Sequence, residues 1–216
     1  MRRDVYAAEK LRLDKVPGVA EARALTGRNH ADRKREPYVA ADVETMISAE
    51  EIAARVDALA KQIESDLEDP DLVVVGVLKG CFIFLADLVR QFSVPHEMDF
   101  IAVSSYGSGT TSGAVRLLKD LETDITDRDV LLVEDIVDTG SSLAYIRHNL
   151  EIRKPRSLRI CALLDKRERR ERDIDVDYIG FEIPDKFVVG YGMDYAERYR
   201  DLPYVGVALL DGAGEH

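Results

Sequence analysis

Regular apolar spacing begins at Ser48. Ile52, Val56, Leu59, Ile63 and Leu67 follow at steps of four and three, and Glu51 stands three residues after Ser48. This predicts an amphipathic helix of about twenty residues opened by a capping box, with Asp69-Pro70-Asp71 as its stop. Leu72 to Leu78 is then a valine-rich run interrupted only by Gly76, the pattern of a strand buried on both faces. Lys79-Gly80 turns the chain into a second helix, Phe82 to Phe92. Strands are predicted at Met98 to Ser104, Val130 to Glu134 and Leu158 to Leu164, and near Tyr178 to Phe181 and Val205 to Leu209. A helix from Ser141 to about Ile152 separates two of them. Alternating apolar strands and helices predict an α/β fold, a twisted and mainly parallel sheet flanked by helices, and in such a sheet ligands bind at the carboxyl ends of the strands. The Gly/Ser/Thr stretch from Ser104 to Gly113 is too polar to pack and too long for a tight hairpin. It reads equally as a plain connection or a lid.

Ahead of residue 46 no period is sustained, so residues 1–45 are expected to form a poorly ordered N-terminal extension to a domain at 46–212. Met-Arg-Arg at the start lacks an apolar stretch behind it and is followed by acids, which is wrong for a targeting peptide. The net charge is −11, yet residues 1 to 40 hold ten Lys/Arg against six Asp/Glu, so the body is more acidic still. Such a body is unsuited to broad binding of nucleic acid or anionic lipid, and any anion must be held by local geometry. No apolar run approaches the roughly 18 residues that would cross a bilayer. Cys81 and Cys161 lie inside apolar runs without metal-ligand spacing, which predicts buried thiols in a reducing compartment and a cytoplasmic protein.

The segment Val130-Leu131-Leu132-Val133-Glu134-Asp135-Ile136-Val137-Asp138-Thr139-Gly140-Ser141-Ser142 carries the chemistry. A buried strand leads to two carboxylates, then to a turn of Asp, Thr and Gly that opens a helix. Backbone N–H groups at that helix start, close approach at Gly140 and hydroxyls from Thr139, Ser141 and Ser142 form a cradle for one phosphate. Adjacent carboxylates beside it suit Mg²⁺-bound diphosphate or a pair of ribose hydroxyls. VDTGSS also matches the catalytic turn of aspartic proteases, but those need two such turns and an all-β frame. The chain has no second Asp-Thr-Gly or Asp-Ser-Gly.

Read whole, VLLVEDIVDTGSS resembles the phosphoribosyl diphosphate signature of type I phosphoribosyltransferases. Three further segments narrow the resemblance to the hypoxanthine-guanine phosphoribosyltransferases. These are Val77-Leu78-Lys79-Gly80, similar to a pyrophosphate loop that often has an unusual peptide bond before its Lys; Ser104-Ser105-Tyr106-Gly107 through Gly113, similar to a mobile lid; and Phe181 to Tyr195 with Tyr199-Arg200-Asp201-Leu202, similar to a purine-binding hood. The likeness covers about residues 47 to 210 and implies a small hood subdomain above the sheet.

It also implies roles. Asp138 would be the acid/base facing N7 of the purine, Glu134 and Asp135 would hold ribose hydroxyls and Mg²⁺, and Thr139, Gly140, Ser141 and Ser142 would bind the 5′-phosphate. Lys79, Gly80 and Arg200 would meet pyrophosphate, with Ser105 and Tyr106 in the lid. Lys166 would donate to the 6-oxo group, Phe187 would stack on the base between Lys186 and Val188, the Val188 backbone would read its edge, and Asp194 would lie near the 2-position and a second Mg²⁺. The implied substrates are 5-phosphoribosyl 1-diphosphate and hypoxanthine or guanine, the cofactor Mg²⁺, and the assembly a homo-oligomer, dimer or tetramer, without nucleic acid or membrane. A regulator that kept the pocket to sense phosphoribosyl diphosphate and bind RNA is the rival class, and a different base in the same reaction a third reading. Cys81 and Arg167 depart from the family pattern without removing a functional group.

Overall fold

The structure, a computed structural model, describes residues 43–67, 71–106 and 114–209. Six strands form the main sheet: β2 (Leu72–Leu78), β3 (His96–Tyr106), β4 (Ala114–Lys119), β5 (Asp129–Val137), β6 (Ser157–Asp165) and β7 (Tyr178–Glu182), in the order β4-β3-β2-β5-β6-β7. Only the β3–β4 pair is antiparallel. From β2 the chain moves outward to β3, whereas from β5 it moves outward the other way to β6 and β7. The β2/β5 junction is therefore the switch point, where an open sheet leaves a crevice at its carboxyl edge.

Burial on both faces explains the valine-rich strands. Val73, Val75 and Val77 pack with Leu143, Ile146 and Leu150 of α3 (Ser141–Glu151). Leu72 and Val74 face the opposite layer, made by α1 (Ala49–Ser65) and α2 (Phe82–Val89). At the start of α1 the capping box forms as expected: Glu51 N–H donates to Ser48 Oγ at 3.2 Å, and Ser48 N–H to the Glu51 carboxylate at 2.8 Å. The helix stops at the Asp66 cap, earlier than the spacing of Leu67 suggests, and Leu67 packs against the core from outside it.

A second, antiparallel sheet joins β1 (Val43–Ile47), β9 (Val205–Ala208) and β8 (Val188–Val189). This is the hood, built from both ends of the domain. Neither β1 nor β8 is foreseen in the apolar pattern, and β1 straddles the expected boundary at residue 45. The expected extension falls otherwise outside the described residues. β4 is also unforeseen, and β3 runs on through Ser105 to Tyr106, opposite Ala114. The stretch taken for a loop thus begins as strand, while the rest of the candidate lid, 107–113, lies outside the described residues. Among the described residues no helix is long and apolar enough to cross a membrane.

One buried acid stabilises the base of the sheet. Burial alone would raise Asp99, but backbone N–H donors from Thr123, Phe100 and Glu122 outweigh it and hold its pKa at about 2. A carboxyl depressed from 3.8 in this way adds about 2 kcal/mol above the unfolded pKa, lost as pH falls through the folded value. Wild type should therefore lose stability between about pH 4 and pH 2. Asp99→Asn, which turns a donor amide toward those N–H groups, should lower stability at pH 7 by a similar amount and flatten that acid limb. Urea melts across the range read both.

Candidate active site

At the switch point β2 delivers Lys79 and Gly80, and the Leu78-Lys79 peptide bond is cis, the unusual bond that the sequence likeness implies. The Asp135 carboxylate crowds Gly80: a Cβ there would sit 1.7 Å from Asp135 Oδ2. A Cβ on Gly192 of the hood, whose φ is +104°, would in turn lie 2.0 Å from the Gly80 carbonyl oxygen. The Asp135 carboxylate on one side and the Gly192 backbone on the other thus hem in the pyrophosphate-loop candidate.

β5 extends three residues past its expected end, because Ile136 and Val137 still pair with Leu164 and Asp165 of β6. Glu134 and Asp135 are consequently in the strand, on opposite faces. Burial, and then the charge of Asp135, push the Glu134 carboxyl well above its usual range. Burial also raises Asp135, to about 6, with Asp194 adding to the rise while backbone N–H groups and Arg200 oppose it. Among the described residues Glu134 Oε2 is enclosed without a hydrogen-bond partner. An orphaned carboxylate oxygen at the strand end, with a second raised acid on the other face, fits a cation or sugar hydroxyls.

Beyond β5 lies a concavity of about 110 Å³ lined by Glu134, Asp138, Thr139, Gly140 and Ser142. Gly140 takes φ +81° and is the N-cap of α3 with no side-chain cap, so the helix start is open to an anion. Ser141 is turned by its N–H toward Thr139 Oγ1, at 3.4 Å. A larger cavity of about 600 Å³ adjoins it, lined by Lys79, Gly80, Asp135, Asp138, Lys166, Arg169, Phe187, Val188, Asp194, Glu197 and Arg200. Asp138 and Ile136 line both. A ligand that spans both cavities therefore passes Asp138 between them.

In the larger cavity Lys166 is 6% exposed, and its Nζ lies 3.5 Å from Asp185 Oδ1. The Phe187 ring is half-exposed and meets Tyr195 edge to face at 5.6 Å. Asp194 is taken by Arg200 at 2.7 Å and by the Glu197 N–H at 2.8 Å. Lys186, by contrast, is exposed in the turn after Pro184 and does not line the cavity. Among the described residues no three His, Cys, Asp or Glu side chains gather as one metal-holding cluster, so Glu134, Asp135 and Asp194 are not preassembled. Cys81 and Cys161 are buried free thiols, as expected.

The motifs assign no role to three residues of the site. Glu197 reaches across to Lys79, 3.0 Å away, and lies 3.5 Å from Arg200. Arg169 Nε lies 3.0 Å from Asp138 Oδ1, near enough for charge attraction although that enclosed oxygen has no hydrogen bond. Asp185 links Arg169 and Lys166. Another concavity of about 480 Å³, between α1, α2 and the Leu202-Pro203 segment, is lined by two carboxylates and no cation, which is wrong for a phosphorylated ligand.

The family model of the phosphoribosyl transferase domain matches residues 43–196, from the first hood strand through the Asp138 turn to Ala196. The chain belongs to the phosphoribosyltransferase family. A hypoxanthine phosphoribosyltransferase of Salmonella typhimurium is 56% identical over 173 residues, 78% of this chain and 97% of that protein. A hypoxanthine-guanine phosphoribosyltransferase of Mycobacterium avium is 51% identical over 168 residues, 74% of this chain and 83% of its own. Among solved structures, a hypoxanthine-guanine phosphoribosyltransferase from Bacillus anthracis matches with TM-score 0.74 and 48% identity, over 76% of this chain and 98% of that one. These matches fix the type I phosphoribosyltransferase fold and leave each side chain's role to its geometry.

Proposed function

We propose that this phosphoribosyltransferase is a purine salvage enzyme, which moves phosphoribose from 5-phosphoribosyl 1-diphosphate to hypoxanthine or guanine and yields IMP or GMP with pyrophosphate. The observation that carries the reading is Asp138, shared by an anion cradle on one side and a hood-lined cavity on the other. The 5′-phosphate sits in the cradle of Thr139 to Ser142, the ribose crosses Glu134 and Asp135, and the base lies between Phe187 and the strand ends with its 6-oxygen at Lys166. As the C1′–O bond to diphosphate breaks, positive charge grows on the ribose and negative charge on the leaving group, which Lys79 and Arg200 receive. N9 of the purine bonds to C1′, and the proton lost from the base passes to the Asp138 carboxylate. An RNA-binding sensor has no need of the buried Lys166 opposite a stacking ring, so the regulator reading is not favoured.

The acids fit Mg²⁺ because the Glu134 oxygen is orphaned and burial raises both the Glu134 and the Asp135 carboxyl at the strand end. A cation that keeps several waters and is shared with substrate phosphates needs only one or two protein carboxylates, so the lack of a three-acid cluster is no obstacle. Bound there, Mg²⁺ would neutralise the departing diphosphate. Titration calorimetry should show phosphoribosyl diphosphate binding at least about tenfold weaker in EDTA and restored by Mg²⁺. Equal affinity in both would remove the metal. Assembly as a dimer or tetramer belongs to the same proposal, and sedimentation equilibrium reads it.

Glu197 holds the two cations that pyrophosphate is to meet, and must yield to it. Lys79's hydrogen bond keeps the Glu197 carboxyl below its ordinary range. Both partners are largely exposed, so the pair is weak. Glu197→Gln should lower KM for phosphoribosyl diphosphate by about threefold, and product inhibition by pyrophosphate should tighten in step. An unchanged or raised KM would show that Glu197 does not compete.

A further inference from the structure

The connection from β6 to β7 carries Lys166 and Arg169 into the larger cavity, and a buried ion pair closes it. Asp165, the last residue of β6, has no exposed surface. Arg170 forks onto it, Nε to Oδ1 and Nη2 to Oδ2, both at 2.9 Å, and sends Nη1 to the Ile174 carbonyl at 2.7 Å. Between the two partners lie Lys166 and the 3-10 turn Arg167–Arg169. The backbone on either side is pinned as well, by Lys166 N–H to Val137 O and Ile183 N–H to Asp165 O, each 2.9 Å. Just beyond Arg170, the N–H groups of Glu171 and Arg172 both donate to the Thr139 carbonyl, at 3.0 and 3.2 Å.

Burying such a pair is a poor way to gain stability, since apolar residues of similar volume do as well or better. What the guanidinium fork supplies is direction: two parallel hydrogen bonds fix the angle of the loop as well as its distance. Lys166 needs that, because among the described residues its ammonium leans only on Asp185 at 3.5 Å, beyond good hydrogen-bond range, so its aim depends on where the loop backbone starts it.

We infer that Asp165 and Arg170 are positioning residues for base selection, holding Lys166 at the 6-oxygen and tying the same loop to the phosphate cradle through Thr139. The inference rests on the proposed reading of the site. It predicts that loosening the fork costs 6-oxopurine use far more than adenine use, because only the former depends on where the ammonium stands.

The test compares wild type with Asp165→Asn, with Arg170→Lys, which keeps the charge but not the fork, and with Asp165→Val combined with Arg170→Met, which removes both buried charges and protects folding. Each is measured for kcat/KM with hypoxanthine, guanine and adenine, and for amide exchange over 166–172. The positioning role predicts faster exchange in that loop. It also predicts a fall of about 10- to 100-fold in kcat/KM for hypoxanthine and a hypoxanthine-to-adenine ratio reduced at least fivefold, with Arg170→Lys least affected. Proportional losses on all three bases, or an unchanged ratio in the folded apolar double variant, would overturn the positioning role alone. A wild type that does not use 6-oxopurines would overturn the reading of the site and this role with it.

Discussion

Adenine is expected to be a poorer substrate than hypoxanthine by about 10⁴ in kcat/KM, the discrimination available when a site built to pair with one group meets another. Lys166 is the reason. An ammonium offers three donors and no acceptor, so it pairs with a 6-oxo group and meets only another donor in the adenine amino group. Its burial sharpens the penalty, because at 6% exposure water cannot replace the missing acceptor, and Asp185 at 3.5 Å compensates only in part. Lys166→Gln can donate or accept, and should narrow the gap by weakening 6-oxopurine use much more than adenine use. Comparable kcat/KM for both bases in wild type, or an unaltered ratio in Lys166→Gln, would leave Lys166 as one more charge in a basic loop.

The second large effect falls on Asp138. Replacing it by Asn preserves shape and removes the proton acceptor, so kcat should fall by roughly 10² to 10⁴. Phosphoribosyl diphosphate binding should change little, since the proposed cradle uses the backbone and hydroxyls of Thr139 to Ser142 and not the Asp138 carboxylate. Steady-state kcat set beside a calorimetric affinity separates the two. An Asp138→Asn enzyme with undiminished kcat would take the acid/base role away, whereas a parallel loss of affinity would show that Asp138 holds substrate.

What the sequence reveals follows from how local each cause is. β2, β5 and β6 are legible because burial on both faces demands continuous apolar residues, and α1 because Ser48 and Glu51 cap it within one turn. The acid turn is legible because strand, carboxylates, glycine and hydroxyls lie in one run. β1 is not, since its burial depends on β9, far along the chain. β8 has two residues, and Leu118 of β4 is 62% exposed, which spoils any alternation. Glu197 escapes notice because its partner Lys79 is 118 residues away. Arg169 and Asp185 look like surface charges until the hood and the β6–β7 loop fold onto Asp138 and Lys166. In the hood, Tyr191, Ala196, Glu197 and Tyr199 have positive φ without being glycine. Such backbone costs about 1 to 3 kcal/mol per residue and tends to gather at active sites, yet no local residue preference announces it.

Transfer of phosphoribose to a 6-oxopurine is read by incubating the purified chain with 5-phosphoribosyl 1-diphosphate, Mg²⁺ and each of hypoxanthine, guanine, xanthine and adenine in turn, and measuring nucleotide and pyrophosphate together. IMP or GMP with pyrophosphate in equal amounts, and almost no AMP, are expected. Diphosphate bound without nucleotide formed from any base, or adenine used as readily as hypoxanthine, would contradict it.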